Sequence, residues 1–181
     1  NTGNTDSVFC FDAVTGKELW KHSYPCPADD PNGYPGPRGT PTVNEQRVYS
    51  VSRAGDLFCL DAKTGAVIWK KNYQTDYKAE PPKWGFSTSP LVTGNMVIVE
   101  TGGPGAATLA LDKRTGKEIW KAGDDPAGYS SPVEFKQNGK PAVAIFAAKA
   151  LVARSLADGS ELWRIPWTTS WDVNAATPIV D

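Results

Sequence analysis

Phe58-Cys-Leu-Asp-Ala-Lys-Thr-Gly-Ala-Val-Ile-Trp69 decides how this chain folds, because the same pattern occurs four times. Phe9-Cys-Phe-Asp-Ala-Val-Thr-Gly-Lys-Glu-Leu-Trp20 precedes it, and Leu109-Ala-Leu-Asp-Lys-Arg-Thr-Gly-Lys-Glu-Ile-Trp120 follows it, both without gaps. The last copy, Val152-Ala-Arg-Ser-Leu-Ala-Asp-Gly-Ser-Glu-Leu-Trp163, is degenerate, with Ser155 in place of the Asp and Asp158 in place of the Thr. Successive Trp residues lie 49, 51 and 43 positions apart. A second landmark keeps the same step: Thr40-Pro41, Ser89-Pro90, Ser131-Pro132 and Thr177-Pro178 are 49, 42 and 46 apart. Two independent markers with one period identify a repeat protein.

Each repeat reads as four strands. In the second they fall at about 40–43, 47–52, 56–61 and 66–73, with the alternation and β-branched or aromatic content of half-buried antiparallel strands. The Asp-x-x-Thr-Gly turn joins the last two strands. Its Asp can accept hydrogen bonds from backbone amides two or three residues on, and its Gly supplies the positive φ that closes the hairpin. The Trp four residues later falls on the outermost strand, where its flat surface can fill the space between neighbouring units. A unit of roughly 45 residues with four short strands and one Trp-bearing motif describes a blade of a β-propeller. The motif residues are Asp12, Thr15, Gly16 and Trp20; Asp61, Thr64, Gly65 and Trp69; Asp112, Thr115, Gly116 and Trp120; and Gly159 with Trp163.

The expected fold is therefore all-β, with four-stranded antiparallel blades making up about four repeats of a seven- or eight-bladed ring. Residues 1–24 supply part of a blade, 39–73, 87–122 and 129–165 supply whole blades, and 175–181 supply the first strand of a further one. Three full blades and parts of two others do not close a ring, so the expectation is that the chain is a piece of a longer protein.

Composition narrows the function classes. Nineteen basic side chains against 20 acidic ones, with no block of like charge, give no electrostatic reason to bind nucleic acid or an anionic membrane. No apolar run approaches the roughly 18–20 residues needed to span a bilayer. The single His, His22, at the end of an outer strand, leaves no hydrolase triad. Three Cys cannot all pair within the chain. Cys10 and Cys59 hold equivalent positions on adjacent blades, too far apart for a disulfide, and read as small buried hydrophobes. Cys26 is either free or paired outside this stretch.

At the repeated Asp-x-x-Thr-Gly-x-x-x-Trp the sequence resembles the pyrroloquinoline quinone (PQQ) repeat family over essentially its whole length. That family includes eight-bladed quinoprotein alcohol and sugar dehydrogenases, and also non-catalytic propellers such as the lipoprotein of the bacterial outer-membrane assembly machinery. The resemblance implies the fold, and a periplasmic or exported home. It implies no single activity, because the motif is a blade-building device.

Function is expected in the inter-blade loops, which vary on a rigid scaffold. They span 24–38, 74–86, 122–129 and 166–174, and each brings a large polar or aromatic group to the start of an innermost strand. Arg38, Trp84, Phe86, Tyr129, Trp171, Asp172 and Asn174 are the candidate binding surface for a protein, peptide or glycan partner. The competing reading is that the aromatics only anchor the loops. No metal or cofactor is expected under the binding reading. Under the alternative, a quinoprotein dehydrogenase, Trp84 or Trp171 would floor the PQQ and Asp172 with Asn174 would give oxygens to Ca²⁺. The vicinal cysteine pair of many such alcohol dehydrogenases is absent from this stretch. Asp29-Asp-Pro-Asn-Gly33 lacks the spacing of a Ca²⁺ loop and reads as a solvated turn. Gly102-Gly-Pro-Gly105 has no Lys-Ser/Thr after it and reads as a flexible strand connection.

Overall fold

The Asp-x-x-Thr-Gly turn builds the same hairpin in each regular repeat. Asp61 Oδ1 accepts hydrogen bonds from the Lys63 and Thr64 amides and from Thr64 Oγ1, at 3.0, 2.8 and 2.9 Å. Asp12 and Asp112 do the same in their own turns. These donors favour the ionised carboxylate, so all three Asp are held below the usual carboxylate range, the Thr hydroxyl contributing most. Gly16, Gly65 and Gly116 follow at φ near 70° (69°, 72° and 70°), where a side chain would be strained. After each turn the outer strand carries one extra residue, a β-bulge that recurs at the same repeat position.

The structure is a computed structural model describing residues 1–27 and 36–179. It comprises β1 (Thr5–Phe11), β2 (Glu18–Pro25), β3 (Thr42–Asn44), β4 (Arg47–Val51), β5 (Asp56–Asp61) and β6 (Val67–Asn72). A short helix α1 (Tyr73–Tyr77) leads to β7 (Leu91–Thr93), β8 (Met96–Gly103), β9 (Ala106–Asp112) and β10 (Glu118–Ala122). The last strands are β11 (Val133–Gln137), β12 (Lys140–Phe146), β13 (Ala150–Ser155) and β14 (Glu161–Pro166). The sheets are β3-β4-β5-β6, β7-β8-β9-β10 and β11-β12-β13-β14, with β1-β2 forming a two-stranded sheet, all antiparallel. This is the expected part of a β-propeller. Over residues 175–179, within the stretch expected to supply a further first strand, no strand is formed.

The core lies between the blades. One apolar layer joins the β1-β2 sheet to the second blade, a second joins the second blade to the third, and another joins the third to the fourth. The repeat Trp organises each layer, and it does so on the next blade rather than its own. Trp20 Nε1 donates to the Ala62 carbonyl at 2.9 Å, Trp69 Nε1 to Lys113 at 3.3 Å, and Trp120 Nε1 to Leu156 at 3.0 Å. The indoles lie flat on the turn glycines: a Cβ added to Gly65, Gly116 or Gly159 would come within 2.5, 2.7 or 2.5 Å of Trp20, Trp69 or Trp120. Glycine is thus required twice over, by its φ and by the ring that covers it. Trp163 rests instead on its own blade, against Phe135 and Gln137.

The Ser/Thr-Pro landmark links the innermost strands. The Thr40 amide donates to Ser89 Oγ and the Ser89 amide to Ser131 Oγ, each at 2.9 Å, so these two hydroxyls each close onto the preceding blade. The three cysteines are free, with Cys26 and Cys59 buried; burial pushes both thiols up, to about 11. The Gly102–Gly105 run is a tight hairpin rather than a flexible connection. A Cβ on Gly102 would meet the Ala127 nitrogen at 2.4 Å, and one on Gly103 the Tyr77 carbonyl at 2.3 Å. The Asp29–Gly33 turn lies outside the described residues.

Candidate functional site

Strand order places the Asp-Thr-Gly turns and the β3-β4, β7-β8 and β11-β12 hairpins on one face of the blades, and the inter-blade loops on the other. The loop from the second to the third blade is shaped in two steps. Asn72 caps α1, its side chain accepting from the Gln74 and Thr75 amides at 3.0 and 2.9 Å, and Asp76 accepts from the Asn72 amide at 3.0 Å. Tyr73 and Tyr77 are buried, and the chain turns at Lys78 (φ 56°). After Pro81-Pro82, the Phe86 amide donates to the Arg53 carbonyl at 2.9 Å and the Phe86 ring packs edge-on against Tyr73 at 5.1 Å. Trp84, just before this anchor, is thereby held at the surface.

Tyr129, from the next loop, meets it there. The Trp84 and Tyr129 rings lie 5.9 Å apart, and the Trp84 amide donates to the Tyr129 hydroxyl at 3.4 Å. The Tyr129 phenol is pushed above its usual range, first by burial; Trp84's amide and the positive charge of Arg38 oppose this, and Asp172 adds to it. From the last loop comes Trp171, 72% exposed and at φ 67°. Lys83 bridges the two indoles: its ammonium is 4.9 Å from the Trp84 ring centroid and 4.0 Å from that of Trp171. Five of the residues singled out in the sequence, Arg38, Trp84, Tyr129, Trp171 and Asp172, thus gather from successive loops around one spot.

Two others sit inside the scaffold, which corrects the expectation that they face a partner. Phe86 is 1% exposed, because its ring fills the space beside Gly55 that a Cβ would occupy. Asn174 is 2% exposed and its side chain is spent internally. Nδ2 donates to the Ala147 and Ala148 carbonyls at 2.8 and 3.0 Å, and Oδ1 accepts from Thr169 Oγ1 at 3.2 Å. The Asn174 carbonyl in turn accepts from the Tyr129 amide at 3.1 Å, which ties the last two loops together. Lys83 was not anticipated, since a lone Lys in a loop carries no signal.

Of the oxygens the quinoprotein alternative would give to Ca²⁺, Asn174 Oδ1 is buried and accepts from Thr169 Oγ1 at 3.2 Å, and among the described residues no group of three His, Cys, Asp or Glu is placed to hold a metal. On the opposite face a cleft of about 410 Å³ opens between the third and fourth blades, lined by Met96, Lys140, Pro141 and Leu156 among others. Repeat position explains it. One blade earlier, Lys113 Nζ reaches Asn44 Oδ1 and Glu45 Oε1, both at 3.1 Å, and closes the gap; here the degenerate repeat puts Leu156 in place of the Lys, and the third blade has Thr93 and Gly94 in place of Asn44 and Glu45.

A family model described as outer membrane protein assembly factor BamB matches residues 4–181. No curated protein matches. Among solved structures, BamB from Moraxella catarrhalis superposes at a TM-score of 0.60 with 21% identity, over 89% of this chain and 42% of its own. A quinohemoprotein alcohol dehydrogenase from Pseudomonas putida HK5 gives 0.63 with 18% identity, over 90% of this chain and 31% of its own. A europium-containing methanol dehydrogenase gives 0.65 with 15% identity, over 90% and 38%. At such identities these likenesses establish the fold alone, and the chain spans less than half the length of each protein.

Proposed function

This chain belongs to the family of outer membrane protein assembly factor BamB, and from that premise we propose that it is a non-catalytic binding or scaffolding module that meets a protein partner through its inter-blade loop face. The observation that carries this reading is the convergence of Trp84, Tyr129 and Trp171 with Lys83, Arg38 and Asp172 on one surface. Aromatic and Arg side chains at the centre of a patch, carrying both charge signs, have the composition of interaction hot spots. They are held from behind by buried anchors, so little order has to be gained on binding. A periplasmic, outer-membrane-associated setting accords with the family, and no helix among the described residues is long and apolar enough to cross a membrane. A peptide or glycan would use the same aromatic surface.

Trp84→Ala and Tyr129→Ala are expected to leave the far-ultraviolet spectrum and the unfolding midpoint nearly unchanged while weakening capture of envelope proteins at least tenfold, as loss of a hot-spot residue does. Undiminished capture by both variants would count against the reading. The alternative, a PQQ- and Ca²⁺-dependent dehydrogenase, predicts saturable quenching of Trp fluorescence when quinone and Ca²⁺ are added to the full-length protein. We expect none, and no quinone-dependent reduction of a dye with alcohols.

A further inference from the structure

Glu100, on β8, is an ionisable side chain 1% exposed in the interior. Its Oε1 accepts from the Gly128 amide at 3.0 Å, and its Oε2 has no partner. Gly128 immediately precedes Tyr129, so this bond holds the end of the loop that carries the central ring of the loop-face cluster. The loop is otherwise fixed by shape. The Pro126 carbonyl accepts from the Ala148 amide at 3.0 Å, and a Cβ on Gly128 would meet the Phe146 carbonyl at 2.4 Å. With Gly102 pressed against Ala127, the segment is wedged between the third and fourth blades.

The surroundings of Glu100 are polar on one side and nearly closed. It lines a narrow space with Thr108, Asp125 and Arg154, walled by Ala107, Ile145, Ala147 and Val152. Arg154 does not neutralise it. The guanidinium is turned toward Asp125 and Glu161, at 3.6 and 3.7 Å, and Nη1 donates to the Gly159 carbonyl. Asp125 is also held by Arg164. From α1, the fully buried Tyr73 faces Glu100 with its own hydroxyl unpartnered, and Tyr77 lies beside it. The facing charged and titratable groups are therefore Asp125, Arg154, Tyr73 and Tyr77, and the one cation among them is already engaged by two carboxylates.

We propose that Glu100 is a positioning residue for the loop-face cluster, holding the Gly128–Tyr129 segment in place while protonated and releasing it when ionised. This rests on the loop-face reading only for its biological meaning; the coupling itself is a property of the chain. A neutral carboxyl accepts from Gly128 through one oxygen and leaves no charge on the unpartnered other. An ionised one, although the stronger acceptor for the Gly128 amide, leaves Oε2 charged and unpartnered beside Asp125 in a space too narrow for water, and the available relief is to shift the wedged loop and admit solvent. Burial, first of all, raises Glu100 to about 8, opposed by the Gly128 bond and aided by Asp125, so the change falls just above neutral pH.

The test is a two-dimensional amide and indole NMR titration of the protein from pH 6 to 9.5, with Glu100→Gln as the isosteric variant that cannot ionise. The Gly128 amide and the Trp84 and Trp171 indole N–H resonances are expected to shift together with one midpoint near 8. In Glu100→Gln all three should stay at the wild-type low-pH positions throughout. A Gly128 amide that does not titrate overturns the proposal, as do indoles that stay still while Gly128 titrates, or that titrate equally in the Gln variant. Should the variant not fold, the wild-type titration alone decides on the first two counts. No partner is needed, so failed capture by Trp84→Ala would leave this result standing.

Discussion

Replacing Trp120 with Ala is expected to destabilise the chain by about 4 kcal/mol, the upper range for removing a buried aromatic ring. The indole is 8% exposed, roofs Gly159, and satisfies the buried Leu156 carbonyl at 3.0 Å. Its loss opens a cavity between the third and fourth blades and leaves that carbonyl unpaired. The reciprocal change is as informative. Gly159→Ala must place a Cβ at φ 75° and within 2.5 Å of the Trp120 ring. Gly16→Ala has a similar φ of 69° but nothing within 4 Å. The left-handed backbone costs ~1 kcal/mol at either site, whereas the clash with an immobile ring adds roughly 1–3 kcal/mol at Gly159 alone. In a Trp120→Ala background Gly159→Ala should then cost no more than Gly16→Ala. Urea unfolding of the two single variants and the double variant measures this coupling. Additive costs would mean that the Trp does not dock on the neighbouring blade's turn.

The other large effect concerns pH. A carboxyl whose folded value lies above its unfolded one keeps its proton on folding where the unfolded chain has lost it, so stability falls as pH rises between the two values and is level beyond them. For Glu100 the window runs from 4.5 to about 8. At ~1.4 kcal/mol per unit the cost approaches roughly 5 kcal/mol above that window. Glu100→Gln keeps the acceptor for Gly128 and removes the charge. It should match the wild type near pH 4.5 and become progressively more stable than it towards pH 8.5, with a melting temperature higher by on the order of 10 °C there. Equal or lower stability of the variant at pH 8.5 would mean that the carboxylate is ionised and compensated in the folded chain.

These residues also show where sequence reading stops. Trp20, Trp69 and Trp120 and their glycines announce themselves because every blade needs the same turn and the same filler, and need written at a fixed period is legible. What the period does not reveal is the direction of docking, since the glycine beneath each ring comes from the next copy. The hydroxyls of Ser89 and Ser131 are similar: visible as landmarks, with a purpose that appears only when adjacent innermost strands lie side by side. In the loops, Phe86 and Asn174 look no different from Trp84 or Asp172, because large polar and aromatic groups serve equally as anchors and as contact surface. The anchors are distinguished by Gly55 and by the Ala147 and Ala148 carbonyls, which are far away in sequence. Glu100 ends an apolar run and carries no local sign of burial, which arises where β8, α1 and the Gly128 loop meet.

The most direct measurement of the loop-face account is a photo-cross-linking scan of the full-length protein in the cells that produce it. A benzophenone side chain is placed at Lys83 or Trp171 on the loop face, and at Lys63 or Arg114 in the turns of the opposite face. One defined protein adduct is expected from the loop-face positions and none from the turn-face positions, and the adduct is expected to be lost when Tyr129→Ala is added. Equal adducts from the turn face, or an adduct that survives Tyr129→Ala, would contradict the loop-face account.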